Sequence, residues 1–327
     1  MTDAFVVAVI PILDDWAALR LLLPRLATAL ATVTTRAAVL IVDDGSRESG
    51  ESQQMPSRID GLQWIRVLRL RRNLGHQRAI ATGLCHIEEH VPCDYVVVID
   101  GDGEDRPEDV PALLVRAISE YGQSVGFAER RRRIDGIGFR LGYAVYRLMH
   151  RILTGRGVRV GNFSVLPWKC LDSLTVVSEL WIHYAAAVVR SRQPWCSVPV
   201  SRAARLEGRS RMNFVALVVH GLSAISVYSD VVFTRLIVAS AGLVGLTLVG
   251  LTAVALIRAT TSLAIPGWAS YVAGILLVIF LQAVSLIASL IFLVLGSRQQ
   301  AVVIPRRDYG FYVGRVYDLG TAASVVP

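Results

Sequence analysis

The residues best suited to chemistry stand at 100–105, where Asp100-Gly101-Asp102-Gly103-Glu104-Asp105 follows the apolar run Val96-Val97-Val98-Ile99. Alternate residues leaving a strand can aim two carboxylates at one hard cation, and such cations prefer oxygen ligands. Mg²⁺ or Mn²⁺ held there would bridge a diphosphate and neutralise charge on a leaving group. Asp-x-Asp is common as a pair of solvated turn acids; its place at the end of an apolar strand sets this one apart. Glu104 and Asp105 either add a ligand or cap the next helix. A second acidic turn, Asp43-Asp44-Gly45-Ser46, ends another apolar run. It can accept hydrogen bonds from a uracil N–H or ribose hydroxyls, or serve as an Asx-turn. A third segment, Arg71-Arg72-Asn73-Leu74-Gly75-His76-Gln77, offers arginines and a helix N-terminus, both of which favour phosphate oxygens. His76 alone reads as a hydrogen-bonded loop histidine.

Stepping outward, the elements that must position these residues alternate in type. Runs at 5–13, 37–42 and 95–99 have the apolar character of strands buried on both faces, and 64–70 reads as a third strand with polar Arg66 and Arg69. Helices are expected between them. Asp14-Asp15 can cap a helix whose Leu19, Leu22, Leu26 and Leu30 recur at helical spacing. Residues 77–90 and 107–121 complete the series, the latter opening on Pro107. Helical segments near 139–153 and 184–191 and a short strand near 163–166 follow. This alternation predicts an α/β fold, a mainly parallel sheet with helices on both faces. Ligands of such sheets bind beyond the carboxyl ends of the strands, so the acidic turns should converge on one rim.

The remaining composition concerns a membrane. Of 327 residues, 53% are hydrophobic, and the excess is concentrated. Residues 236–257 and 259–297 carry no charge, and about 20 apolar helical residues cross a ~30 Å hydrocarbon core. Two transmembrane helices are expected, preceded by an amphipathic interfacial helix near 212–228. The net charge is +8. Arg202, Arg205, Arg209, Arg211 and Arg235 precede the first span, Arg298, Arg306 and Arg307 follow the second, and Arg258 alone stands between. The positive-inside rule then puts both ends in the cytoplasm. The N-terminus has no signal-peptide pattern. No aromatic-interleaved basic motif suggests nucleic acid as a partner. Four cysteines lack C-x-x-C or zinc spacing and read as reduced thiols.

Taken together, Pro11, Asp43-Asp44-Gly45-Ser46, Arg72-Asn73-x-Gly75-His76-Gln77 and Asp100-x-Asp102-x-Glu104-Asp105-x-Pro107 stand in an order and spacing that resembles family 2 inverting glycosyltransferases. The resemblance is greatest to polyprenyl-phosphate glycosyltransferases of the dolichol-phosphate-mannose synthase type, in the bacterial branch with two C-terminal transmembrane helices. Gly161-Asn162-Phe163 and Gly208-Arg209-Ser210-Arg211 match later landmarks of that branch. Leu13-Asp14-Asp15 stands where the family has Tyr-Asn-Glu, Glu104 where it has Gln, and Asn162 where it has Asp.

The resemblance implies a GT-A-like fold in four parts: a catalytic domain over 1–211, a juxtamembrane amphipathic helix over 212–230, two transmembrane helices over 231–298 and a cytosolic tail over 299–327. It implies that Pro11, Asp15, Asp44, Arg72, Asn73 and Asp100 bind the nucleotide-sugar. Asp102 and Glu104 would ligate Mg²⁺ or Mn²⁺, with Asp100 and Asp102 the catalytic pair. Arg131, Arg209 and Arg211 would hold the acceptor phosphate. The expected activity is transfer of a sugar, from a UDP-linked donor by preference, to a polyprenyl phosphate at the inner membrane. A processive polysaccharide synthase and a non-catalytic membrane scaffold are the rival readings. Pairing of residues 302–319 as strands between subunits of a homo-oligomer is a further expectation.

Overall fold

The structure is a computed structural model that describes residues 2–48, 55–119, 124–130, 137–155, 160–208, 214–261, 267–299 and 301–319. The chain forms two compact units. The larger comprises Met1–Tyr143, Val158–Val227 and Val302–Pro327, the smaller Ala144–Gly157 and Tyr228–Ala301.

The strands are β1 (Thr2–Ile12), β2 (Thr34–Asp43), β3 (Ile65–Leu70), β4 (Tyr95–Val98), β5 (Val125–Arg130), β6 (Ser164–Pro167), β7 (Trp195–Val200) and β8 (Val313–Asp318). The helices are α1 (Trp16–Ala31), α2 (His76–His90), α3 (Val110–Ser119), α4 (Ile137–Thr154), α5 (Lys169–Leu174), α6 (Tyr184–Arg190), α7 (Phe214–Ser226), α8 (Ser229–Thr260), α9 (Trp268–Gln299) and α10 (Pro305–Asp308). A 3₁₀ turn at Pro107–Asp109 leads into α3, so the helix expected from Pro107 begins with a tighter turn.

In the larger unit one sheet runs β7-β5-β6-β4-β1-β2-β3-β8. β4, β1, β2 and β3 are parallel to one another. β6 pairs antiparallel with β4 and β8 antiparallel with β3. Alternate residues of β1 serve opposite faces. Val7 and Val9 join one core cluster with α2, α5 and α6; Val6, Ala8 and Ile10 join the other with α1 and α3. That two-sided burial is why these strands are continuously apolar. Leu19, Leu22, Leu26 and Leu30 of α1 are all fully buried, and each contributes about 1.5–3 kcal/mol by leaving water.

The chain winds from β1 outward to β2 and β3, then crosses back to β4 on the other side of β1. The order reverses at β1, so the crevice for a ligand opens beyond the carboxyl ends of β1, β2 and β4. The sequence does not announce β5, β7, α5 or α10. Within residues 302–319, expected as strands, β8 lies beside β3 of the same chain.

In the smaller unit α8 and α9 are each 32 residues long, about 48 Å at 1.5 Å per residue. Both are long and apolar enough to cross a membrane. Their apolar side chains stand outward: Leu246 is 68% exposed, Val249 67% and Phe292 76%. A core helix of a soluble protein would bury such residues, whereas a lipid-facing helix presents them. The hydroxyl of Thr247 donates to the Leu243 carbonyl at 3.0 Å, keeping this polar group satisfied within its own helix.

Candidate functional site

The strand register brings the acidic turns side by side. Ile12 stands opposite Asp43, and the Asp44 amide donates to the Ile12 carbonyl at 2.9 Å. On the other side Val9 pairs with Val98, and the Ile99 amide donates to the Val9 carbonyl. Residues 11–15, 43–46 and 99–104 therefore leave the sheet on one rim.

The 43–46 turn is built by its own carboxylates. Asp43, fully buried, accepts from the Ser46 amide at 2.8 Å and faces Arg69 Nε at 3.5 Å. Asp44 accepts from the amides of Leu74 at 2.7 Å and Gly75 at 2.9 Å. It thus fixes the start of α2 and the Arg72-Asn73 loop. Gly45 has φ +77°, and a Cβ there would meet Asn73 N at 2.8 Å and the Arg72 carbonyl carbon at 2.9 Å. Only glycine allows both the left-handed backbone and that close approach. Burial pushes the Asp44 carboxyl up, against the two backbone hydrogen bonds and His76, which hold it down. Asp44 spends its oxygens on the loop that carries Arg72 and Asn73, whose side chains are exposed.

Asp14 and Asp15 do not cap α1 as the sequence suggested; no side-chain cap is made there. Asp14 takes φ +52°, its amide donates to Ser46 Oγ at 2.8 Å and its carboxylate accepts from the Arg47 amide at 2.7 Å. Asp15 turns instead to Arg205 at 2.7 Å. Pro11 is buried in β1 opposite Val42, a backbone position in the crevice wall.

His76 is more than a lone loop histidine. Its Nε2 lies 3.2 Å from Asp100 Oδ1 and 3.0 Å from the Asn162 side-chain amide. Gln77 donates to Asn162 Oδ1 at 3.2 Å and accepts from the Tyr184 amide at 2.7 Å. Burial lowers the affinity of the ring for a proton, but the charges of Asp100, Asp102 and Asp44 outweigh it and raise the His76 pKa. Asn162, standing at the start of β6, thereby links the sheet to the Asp100 corner.

Asp102 accepts from the Glu104 amide at 3.0 Å and faces Arg205 Nη1 at 3.3 Å. Glu104 pairs with Arg202. Burial, then the charge of Asp100, raises the Asp102 pKa against the arginines. Residues 202–206 lie over this turn. The Leu206 amide donates to the Asp102 carbonyl at 3.1 Å and the Ala203 amide to the Glu104 carbonyl at 2.9 Å. Gly103, at φ +77°, leaves room for Leu206, whose Cγ stands 2.4 Å from where a Cβ would be. Among the described residues no three His, Cys, Asp or Glu side chains converge as a ready cation cage; Arg205 faces Asp102 and Arg202 pairs with Glu104. The donor set nevertheless suits a hard cation: Asp100, Asp102 and Glu104 offer carboxylate oxygens from one turn.

In the sequence Arg202 and Arg205 stand out only as the basic flank of a membrane span. Their partners lie about 100 to 190 residues away in the chain, beyond the reach of any local pattern. Arg131, Arg209 and Arg211 lie outside the described residues. None of the four cysteines forms a disulfide; Cys85 and Cys170 are buried, and burial pushes their thiols up.

This sheet order, with its acidic rim, defines a GT-A-like domain carrying two membrane-length helices. Residues 8–163 match the family model described as Glycosyl transferase family 2. The chain is 24% identical over 214 residues to undecaprenyl-phosphate 4-deoxy-4-formamido-L-arabinose transferase of Salmonella choleraesuis (strain SC-B67), covering 64% of this chain and 63% of that one. It is 29% identical over 226 residues to the enzyme of the same name from Klebsiella pneumoniae (strain 342), with the same coverage of 64% and 63%. The match thus spans about 63% of the length of these curated relatives. In fold the chain is similar to glucosyl-3-phosphoglycerate synthase from Mycobacterium tuberculosis, solved with Mn²⁺, UDP-glucose and phosphoglyceric acid, at TM-score 0.50 and 17% identity over 70% of this chain and 79% of that one.

Proposed function

We propose that this chain transfers a sugar from a nucleotide-sugar, a uridine nucleotide by preference, to a polyprenyl phosphate such as undecaprenyl phosphate. The observation that carries the reading is the pairing, on one chain, of an acidic crevice at the carboxyl ends of β1, β2 and β4 with two helices apolar enough for lipid. The two curated relatives act, by their names, on undecaprenyl phosphate, which supports the acceptor class.

In this reading the 43–46 turn and Asp15 receive the nucleoside, and the Arg72-Asn73 loop and the start of α2 face its phosphates. Asp102 and Glu104 would hold Mg²⁺ or Mn²⁺, with Asp100, oriented by His76, supporting the donor. A bound divalent ion supplies charge neutralisation on the departing diphosphate. One acceptor phosphate oxygen forms a bond to the anomeric carbon as the bond from that carbon to the diphosphate oxygen breaks. The electron pair leaves with the nucleoside diphosphate and the configuration inverts. A phosphate monoester with a second pKa of about 6 is already ionised near neutral pH. A strong general base is therefore unnecessary, which suits Asn162 rather than a carboxylate beside His76. The residues' work is positioning and electrostatic stabilisation, with Arg131, Arg209 and Arg211 assigned to the acceptor phosphate. In this reading the membrane is the inner one and the larger unit is cytoplasmic, an orientation supported by the arginines that flank α8 and α9.

The test is metal-dependent transfer from a labelled nucleotide-sugar to undecaprenyl phosphate by Asp102→Asn. A loss of about 10²–10³-fold in turnover is expected for an electrostatic residue of this kind. Undiminished transfer refutes the assignment.

A further inference from the structure

Arg205 joins two carboxylates that are distant in the chain. Its Nη2 lies 2.7 Å from Asp15 Oδ1 and its Nη1 3.3 Å from Asp102 Oδ2, with the side chain only 14% exposed. Its Nε donates to the Glu207 carbonyl at 3.0 Å, so the fork is held flat between the two acids. The backbone on either side is stitched to the acidic turn through Ala203 and Leu206, and Arg202 pairs with Glu104 in the same way. A guanidinium in this place does what a cation would do: it neutralises an acid on the nucleoside side and an acid on the metal side at once.

A divalent ion entering on Asp102 alone would stand beside that fixed positive charge, in a crevice where screening by water is reduced. An anion arriving with the ion removes the conflict. The arginine fork presents parallel N–H donors that match phosphate oxygens, and it would need only to rotate from carboxylate to diphosphate. We propose that Arg205 is a diphosphate-binding residue that stands in for the cation until ion and nucleoside diphosphate arrive as a pair. The proposal rests on the reading of Asp102 as a metal ligand. Its consequence is positive coupling: each of the two partners raises the affinity for the other, by the same factor.

The test is Mn²⁺ binding to the full-length, detergent-solubilised protein, followed by electron paramagnetic resonance, with and without UDP or GDP. The wild type is expected to bind Mn²⁺ weakly alone and about tenfold more tightly with the nucleotide. In Arg205→Gln, Mn²⁺ alone should bind about tenfold more tightly than in the wild type, and the nucleotide should raise its affinity by a smaller factor than in the wild type. Arg205→Lys keeps the charge and should keep most of the enhancement, which also guards against a folding defect in the glutamine variant. Arg205→Gln with wild-type Mn²⁺ affinity and wild-type enhancement overturns the proposal. So does weaker binding of Mn²⁺ alone in that variant, the mark of a merely structural prop. A wild type that binds no Mn²⁺ in any condition overturns the metal reading beneath it, and the proposal with it.

Discussion

At the scale of single residues, the rim is governed by carboxylates whose partners define their roles. Asp44 uses both oxygens on backbone amides of the 74–75 segment. In Asp44→Asn only one oxygen remains as an acceptor, so one amide loses its partner. The donor KM should rise about tenfold or more, with a smaller change in kcat, as expected when binding rather than the chemical step is affected. Steady-state kinetics against nucleotide-sugar concentration check this; an unchanged KM contradicts it. A different residue sets a pH limit on stability. Burial, then the charges of His90 and Arg66, lower the His86 pKa to about 4, against about 6.5 in an unfolded chain. Between those values the unfolded chain binds a proton that the folded chain refuses. Stability is therefore complete above about pH 6.5 and falls as the pH drops towards 4, by up to about 3 kcal/mol. Denaturant midpoints measured across that window should slope downward towards acid in the wild type and more shallowly in His86→Gln.

At the scale of elements, the segment after the second apolar helix is part of the sheet. Five residue pairs join β3 to β8, from Arg66 opposite Asp318 to Leu70 opposite Val313. Just before β8, Tyr309 is buried against α2, its hydroxyl donating to Glu89 at 2.5 Å and lying 3.1 Å from His90 Nε2. Arg306 reaches Glu88 at 3.1 Å and Asp172 at 3.3 Å. The Arg71 amide and side chain bond to the carbonyls of Tyr312 and Val313, so the tail also steadies the loop leading to Arg72 and Asn73. A chain ended after residue 301 should unfold about 5 °C or more below the full chain and bind the nucleotide-sugar less tightly; coincident melting curves contradict this. In α1, Leu26→Ala should cost about 2–5 kcal/mol, because a fully buried leucine leaves a cavity on removal.

The elements differ in how legible they were in the sequence, and the reasons are physical. β1, β2, β4 and α1 announce themselves because two-sided burial demands unbroken apolar runs or a repeat such as Leu19, Leu22, Leu26, Leu30, and β3 is legible despite its polar Arg66 and Arg69. β7 hides because as an edge strand most of its residues, Trp195 and Pro199 among them, are exposed or half-buried. β8 hides because Gly314 and Arg315 face outward and its partner β3 lies some 250 residues earlier. The acidic turns were visible from type and spacing, as was the loop at 71–77. That Asp15 serves Arg205 rather than the helix cap, and that Asn162 reaches His76, depends on contacts across the fold that no local window contains.

At the scale of the whole molecule, the chain divides its labour. The larger unit carries every described residue of the acidic rim, and the smaller carries two helices long and apolar enough to cross a membrane. A soluble acceptor would make no use of such helices; a phosphate on a lipid would. The account is tested most directly with the full-length protein reconstituted in vesicles containing undecaprenyl phosphate and Mn²⁺, supplied with a panel of radiolabelled nucleotide-sugars. Label should pass into the organic-soluble lipid fraction from one of them, only when the polyprenyl phosphate and the divalent ion are both present, and not in Asp102→Asn. Label that stays water-soluble across the whole panel, or that enters lipid equally well after the metal is chelated, would contradict it.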